Sequence, residues 1–426
     1  MNIHNQETGY FFKQNLTKSH VMLFDLATGG HHPSYILHIV RYWCNQKLPN
    51  NLDIVVSPKF IDEHHDIVKF VIDNDQKNIR FLPISWEEYS DWNSKSSLLM
   101  RIFHEWRLYV KYATKLKADH GLLMYFDTLQ LPIILGAKSP CSFSGIYFRP
   151  TLHYHTFENY VPSWKDRLRQ WLKKIILSIV LCNSQLKLLF SLDPLAIKHI
   201  ENFNTKAKIL HLPDPVEIYD VSKVDESKVT QIKTRLGIDS GRKVFLLFGR
   251  ISPRKGIYQL LEAISYLATD VANNLCLLIV GSSLPDDKLP VENQIKKISE
   301  SVPVQIIINS DYIAEEDVHL YFSVADVILA PYQNHVGMSG ILLLAAAAQK
   351  PVLSSNYGLM GHLVGDHQLG ITVDSRFPSA IASAITKIIH DIDSGQTNFY
   401  NLSMMKEFAE QNSAVKFAHV LISNIC

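Results

Sequence analysis

Cysteine is scarce: five residues in 426, at positions 44, 141, 182, 276 and 426, with no C-x-x-C pair among them. An odd, scattered set excludes a disulfide framework and the common zinc spacings, and it fits a reduced compartment. No H-E-x-x-H run and no Cys/His cluster is present, so no metal is expected. Charge of one sign is missing too. The formal net charge is +1, so no global field selects nucleic acid, and any anion must be recognised locally. No apolar run approaches the ~20 residues that span a bilayer. The first twenty residues lack the apolar core of a signal peptide. A cytoplasmic protein is the expectation. The P-loop pattern G-x-x-x-x-G-K-[ST] is also absent, which argues against an ATPase.

What is present is a globular balance, 47% apolar and 19% charged. The length predicts two domains of roughly 200 residues. Short apolar runs alternate with helical patterns from one end to the other. In the first half the expected strands are HVMLFD from His20, NLDIVV from Asn51, IRFLPI from Ile79 and HGLLMYFD from His120. CSFSGIYF from Cys141, SIVLCNS from Ser178 and KILHLPDPV from Lys208 complete that half. The second half repeats the scheme with VFLLF, NLCLLIVG, VQIIIN, DVILAP, PVLSS and GITV. Continuous rather than alternating apolar strands, each followed by a helix, indicate parallel sheets covered on both faces. The fold class is therefore α/β, with two doubly wound Rossmann-like domains facing each other across a cleft. The domains span 1–215 and 216–400, and a terminal helical segment, 401–426, is expected to pack back on the first. Ligands in such sheets lie at the carboxyl ends of the strands.

Two stretches look prepared for an anion. In KVFLLFGRISPRKG a strand breaks at Gly249, Arg250, Arg254 and Lys255 crowd a short loop, and Gly256 opens a helix. Free N–H groups, the positive end of a helix dipole and fixed cations suit phosphate; the alternative is a solvated basic loop. In YQNHVGMSGILLLAAAAQKPV, Ser339 is placed to cap a helix rich in small residues. Two such helix starts in one domain suggest a diphosphate or nucleotide.

These residues carry a resemblance. GRISPRKG, LLEAI, LLIVGSS, DYIAEEDVHLYFSVADVILAPY, KPVLSS and GLMGHLV, in that order, resemble glycosyltransferases of the GT-B fold, family 4, the glycosyl transferases group 1 type. The first half is similar more loosely, through TGGHH after the first strand and LPDPV at the crossover. The resemblance implies a nucleotide-sugar donor, retention of configuration, a glycan or lipid-linked acceptor, and no cofactor. It implies that Arg250 and Lys255 grip the donor diphosphate beside Gly249. Backbone near Tyr312 and Ile313 would hold the base. Gly337, Met338, Ser339, Gly340 and Ile341 would hold sugar and phosphate, and Gly29 and Gly30 would face the donor from the first domain. The family's two glutamates, with seven residues between them, fall on Val336 and Leu344, whose side chains cannot accept hydrogen bonds. A catalytically silent protein that binds a glycan or serves as a partner subunit is the alternative, and a sugar-nucleotide epimerase a third reading.

On the acceptor side, strand ends offer Asp127 and Arg149, with His153 and His155 beyond. Asp127 is read either as a polar site residue or as the cap of the next helix. His31 and His32 adjoin the paired glycines, and His64–His65 is expected at the surface. The basic helix Trp164–Lys174, with two tryptophans, is either a solvated face or a peripheral membrane contact.

Overall fold

The computed structural model describes residues 19–95, 97–157, 159–282, 285–311, 313–314 and 317–426. The chain divides into two compact units. The first comprises Met1–Ile146, Asn183–Leu189 and Ile422–Cys426; the second comprises Tyr147–Cys182 and Phe190–Leu421.

The first unit is built on strands β1 (His20–Asp25), β2 (Asn51–Val56), β3 (Ile79–Pro83), β4 (His120–Leu123), β5 (Ser142–Tyr147) and the start of β6 (Leu186–Ser191). Their spatial order is β3-β2-β1-β4-β5-β6. β1 pairs in parallel with β2 and β4, β2 with β3, and β4 with β5. Val21, Met22, Leu23, Ile54, Val55 and Leu123 are fully buried, as expected of a sheet covered on both faces.

The second unit holds β7 (Lys208–His211) and a six-stranded sheet. That sheet comprises β8 (Lys243–Phe248), β9 (Leu275–Val280), β10 (Gln305–Asn309), β11 (Val327–Ala330), β12 (Val352–Ser355) and β13 (Gly370–Val373). It runs β10-β9-β8-β11-β12-β13, all parallel. In each unit the winding reverses between two adjacent strands, β1 and β4 in the first, β8 and β11 in the second. That switch leaves a crevice at the strand ends, where such sheets take ligands. The expected pair of doubly wound Rossmann-like domains is what the structure shows.

Three expected elements differ. Ser178–Leu181 is not strand; it ends an 18-residue helix, Trp164–Leu181, begun by a Ser163/Asp166 capping box. Leu177, Val180 and Leu181 lie inward at helical spacing, and the following strand is Leu186–Ser191. The β-branched pair Ile179 and Val180 made the helix end read as β. The single helical pattern that FIDEHHDIVKFVID, from Phe60, presents in the sequence breaks at His64, giving Pro58–Glu63 and His65–Asp73. β4 stops at Leu123, four residues short of Asp127.

Candidate functional site

At the switch point of the second unit, β8 ends at Phe248 and Gly249 turns with φ +96°, which favours glycine. A 3-10 turn, Pro253–Lys255, delivers the chain to the helix Ile257–Ile264. Gly256, at φ +76°, permits this by contact: a β-carbon there would lie 2.0 Å from the Pro331 carbonyl oxygen at the end of β11. The basic loop is thus pressed against the second motif.

The tie between the two motifs is a side-chain knot around Tyr332. Lys255 is only 8% exposed. Its Nζ donates to the Phe248 carbonyl at 2.8 Å and to the Tyr332 hydroxyl, and it lies 4.7 Å from the Tyr332 ring centroid. Ser339 Oγ donates to the same hydroxyl at 3.1 Å. The Arg254 guanidinium stands 5.3 Å from that ring, and its Nη1 donates to His335 Nδ1 at 3.4 Å. His335 Nε2 then donates to the Met338 carbonyl at 3.0 Å. This network assigns the neutral, Nε2-protonated imidazole. Its pKa is held below the ordinary histidine value, first by burial and then by the charges of Arg254, Lys255 and Arg149, against the Met338 bond. A neutral histidine here is a strut that carries the position of Arg254 into the Gly337–Gly340 loop.

Lys255, Gly249, Met338 and Ser339 therefore come together, and Arg250 leaves the same turn exposed. The capping role expected of Ser339 is wrong. The helix Ile341–Ala347 starts at Gly340 with no side-chain cap, because the Ser339 hydroxyl is spent on Tyr332. Val336 gives its carbonyl to the Leu359 N–H at 2.8 Å, under a close contact with Gly358. Leu344, Met338 and Ile313 pack against the apolar core of the unit. Tyr312 lies outside the described residues. Beside the knot, Met338 also lines a cavity of about 380 Å³ with His211, Asp214, His367 and Lys416. Tyr332 and His335 were not singled out by sequence reasoning; the only signal was their place between two glycine-marked loops.

The first unit presents a second constellation at its own switch point. Gly29 and Gly30 are exposed, with open space on the side a β-carbon would occupy. The base of their turn is held by His64, whose Nε2 donates to the Thr28 carbonyl at 2.8 Å, so His64 is structural rather than a surface residue. His32 Nδ1 and Asp25 Oδ2 are 2.6 Å apart, and the Ala27 N–H reaches Asp25 Oδ1 at 3.0 Å. His31 stacks on His32. Burial opposes charge on His32, but the hydrogen bond and charge of Asp25 outweigh it and raise its pKa. Glu105, from the helix Leu98–Leu116, feels the same carboxylate. Burial first, then Asp25, push it up to about 7. Glu105 and Asp25 escaped notice in the sequence because no motif marks them. Asp127 lies half-buried in a turn of this unit, and it does not cap the next helix, whose N-cap is Leu129.

In the second unit, Arg149 acts on His335 through its charge. His153 is fully buried, 3.1 Å from Asp193, and stacks on His199. Among the described residues no group of three or more His, Cys, Asp or Glu is placed to hold a metal ion, and no helix is long and apolar enough to cross a membrane.

Residues 228–401, which include the whole knot, match the model of the family "Glycosyl transferases group 1". A lipopolysaccharide 1,2-N-acetylglucosaminetransferase of Salmonella typhimurium is 29% identical over 144 residues, which are 33% of this chain and 36% of that protein. The chain thus aligns to little more than a third of that relative's length. Over nearly its whole length the chain has the fold of a Rickettsia africae glycosyltransferase, at a TM-score of 0.68 and 16% identity, covering 96% of this chain and 97% of the other. Anabaena HepE, solved in complex with UDP and glucose, matches at a TM-score of 0.63 and 13% identity, covering 95% and 98%. Residues 228–401 thus resemble the glycosyl transferases group 1 family, and the chain as a whole shares the fold of these glycosyltransferase structures.

Proposed function

We propose that the protein transfers a sugar from a nucleoside-diphosphate donor, held on the second unit, to a hydroxyl acceptor. The observation that carries this reading is the Lys255–Tyr332–Ser339 knot. It fixes one cation and two glycine-rich backbone turns at the switch point of a Rossmann-like sheet, inside the segment that matches the family. Two of the three Lys255 N–H groups are spent on Phe248 and Tyr332. The third is left for a phosphate oxygen, and exposed Arg250 and Arg254 supply a forked grip on the rest.

In the reaction, the bond from the sugar C1 to the diphosphate oxygen breaks and a bond from C1 to the acceptor oxygen forms. The acceptor proton ends on the departing diphosphate. Charge builds on that leaving group, so pre-placed cations lower the barrier without reorganising. The likeness of residues 228–401 to the family supports a nucleotide-sugar donor and retention of configuration. With Leu344 packed on the apolar core, the ribose grip falls to backbone groups and to the lone pairs that Ser339 Oγ keeps after donating to Tyr332.

Calorimetric titration with UDP, GDP and ADP, paired with an assay of slow donor hydrolysis, tests the reading. Micromolar binding of one diphosphate, weakened at least about tenfold by Arg250→Ala, is expected; tenfold is the loss of ~1.4 kcal/mol, typical of one charge-assisted bond. Binding without any turnover would instead identify a silent glycan-binding protein, and no binding at all would end the proposal.

A further inference from the structure

We propose that the helix Trp164–Leu181 docks the protein in the plane of an anionic lipid surface. The inference is independent of the sugar-transfer reading. Only Leu177, Val180 and Leu181 of this helix are buried, so its first twelve residues have no buried side chain. Trp164, Leu168, Trp171, Leu172, Ile175 and Ile179 are between 38% and 71% exposed. At helical spacing these six fall on one face, a stripe roughly 100° wide. Val161, just before the helix, is 82% exposed. An apolar surface of this size is not left to water without a partner.

The charges identify that partner. On the same wheel Arg167 and Lys174 flank the stripe on one side, and Lys165 and Arg169 flank it on the other; all four are exposed. The single acidic residue, Asp166, falls on the far side, where its carboxylate accepts from the Ser163 N–H and hydroxyl at the helix start. A protein groove would call for charges of either sign. Two rows of cations bordering an apolar band with two tryptophans match anionic headgroups above acyl chains. Eighteen residues make a rod of about 27 Å, and its charges fit an orientation along the surface rather than through it.

The test uses the full chain and vesicles of phosphatidylcholine with or without about a quarter phosphatidylglycerol. Co-sedimentation at least about tenfold stronger on the anionic vesicles, released by ~0.5 M salt, is expected. Tryptophan emission should shift to the blue on binding. Trp164→Ser with Trp171→Ser should abolish the shift and the binding. Lys165→Glu with Arg169→Glu should weaken binding at least about tenfold. These side chains are exposed, so unchanged thermal melting of each variant separates lost docking from lost folding. Three outcomes overturn the proposal: equal partition on neutral and anionic vesicles; a dimer in light scattering that the tryptophan replacements dissolve, which makes a second copy the occupant; or tryptophans at 164 and 171 that acrylamide cannot quench in the free protein, which means the chain covers its own stripe.

Discussion

Lys255 and Arg250 come from one turn, yet they do different jobs, and their burial separates those jobs. Lys255 is a buried cation with two hydrogen-bond partners, so it belongs to the fold as much as to the site. Replacing it with methionine keeps the volume but takes the lysine donor from the Phe248 carbonyl and leaves the Tyr332 hydroxyl with Ser339 alone. A buried acceptor orphaned in this way costs roughly 1–3 kcal/mol. Lys255→Met should therefore lower both the melting temperature and diphosphate affinity. Arg250 is exposed, and its replacement by alanine should change stability by less than about 0.5 kcal/mol while still weakening the diphosphate. Thermal melts read beside titrations with UDP decide this. A Lys255→Met protein that melts normally but fails to bind would make the lysine a pure ligand group. Much of this was legible as residue type: a GRISPRKG loop asks for an anion. What could not be read was that Tyr332 would occupy Lys255, or that Ser339 would abandon its helix cap to join them. Both facts depend on Lys255 and Tyr332, 77 residues apart in sequence, meeting beyond the ends of two neighbouring strands.

At the scale of elements, the second unit was the more readable. Its strands β8 to β13 are pure apolar runs between glycine, proline and charged breaks, and each was expected within a few residues of its position. The first unit blurred where a helix end carried β-branched residues, as at Ile175–Leu181, and where a strand's apolar run outlived its pairing, as beyond Leu123. Glycine contributes a sharper element-level claim. Gly256 holds the basic loop against β11 at a distance that no β-carbon tolerates. Gly256→Ala must move either the loop or the Pro331 carbonyl and also strains a left-handed residue. The expected loss is at least about 2 kcal/mol, above the ordinary glycine-to-alanine range. Gly29, which has open space around it, should accept alanine with little effect on the urea midpoint. Equal midpoints for the two variants would show that the loop is not clamped.

For the whole molecule, two Rossmann-like domains were legible because the alternation of strand and helix is set by local pattern. The membership of each unit was not. Residues 183–189 and 422–426 belong with the first unit, and the Cys426 thiol is hydrogen-bonded to Asn50. The sequence reading expects 401–426 as a whole to pack back on the first domain, whereas only 422–426 group with the first unit, and no periodicity announces the return of 183–189. Overall stability gives a last prediction, one that depends on long-range charge in the first unit. Glu105 is raised from 4.5 to about 7 by burial and by Asp25. The unfolded chain therefore releases this proton near pH 4.5, while the folded chain keeps it until about 7. Between those values the folded state binds more protons, so stability falls as pH rises and levels off above about 7. A shift of this size is worth on the order of 3 kcal/mol. His32, whose pKa is also raised, acts in the same direction, since its contribution is lost as pH rises through the folded value. Urea midpoints taken at about pH 5.5 and about pH 8 should differ, with the acidic one higher once the other titrating groups are accounted for by a variant. Glu105→Gln is that variant: it keeps the shape and the contact with the Trp92 indole, 3.4 Å away, but has nothing to ionise. The difference between the two pH values should shrink by most of the Glu105 share and leave the His32 share behind. An unchanged difference would mean that water reaches the carboxyl and that Asp25 and Glu105 do not feel each other across the end of β1.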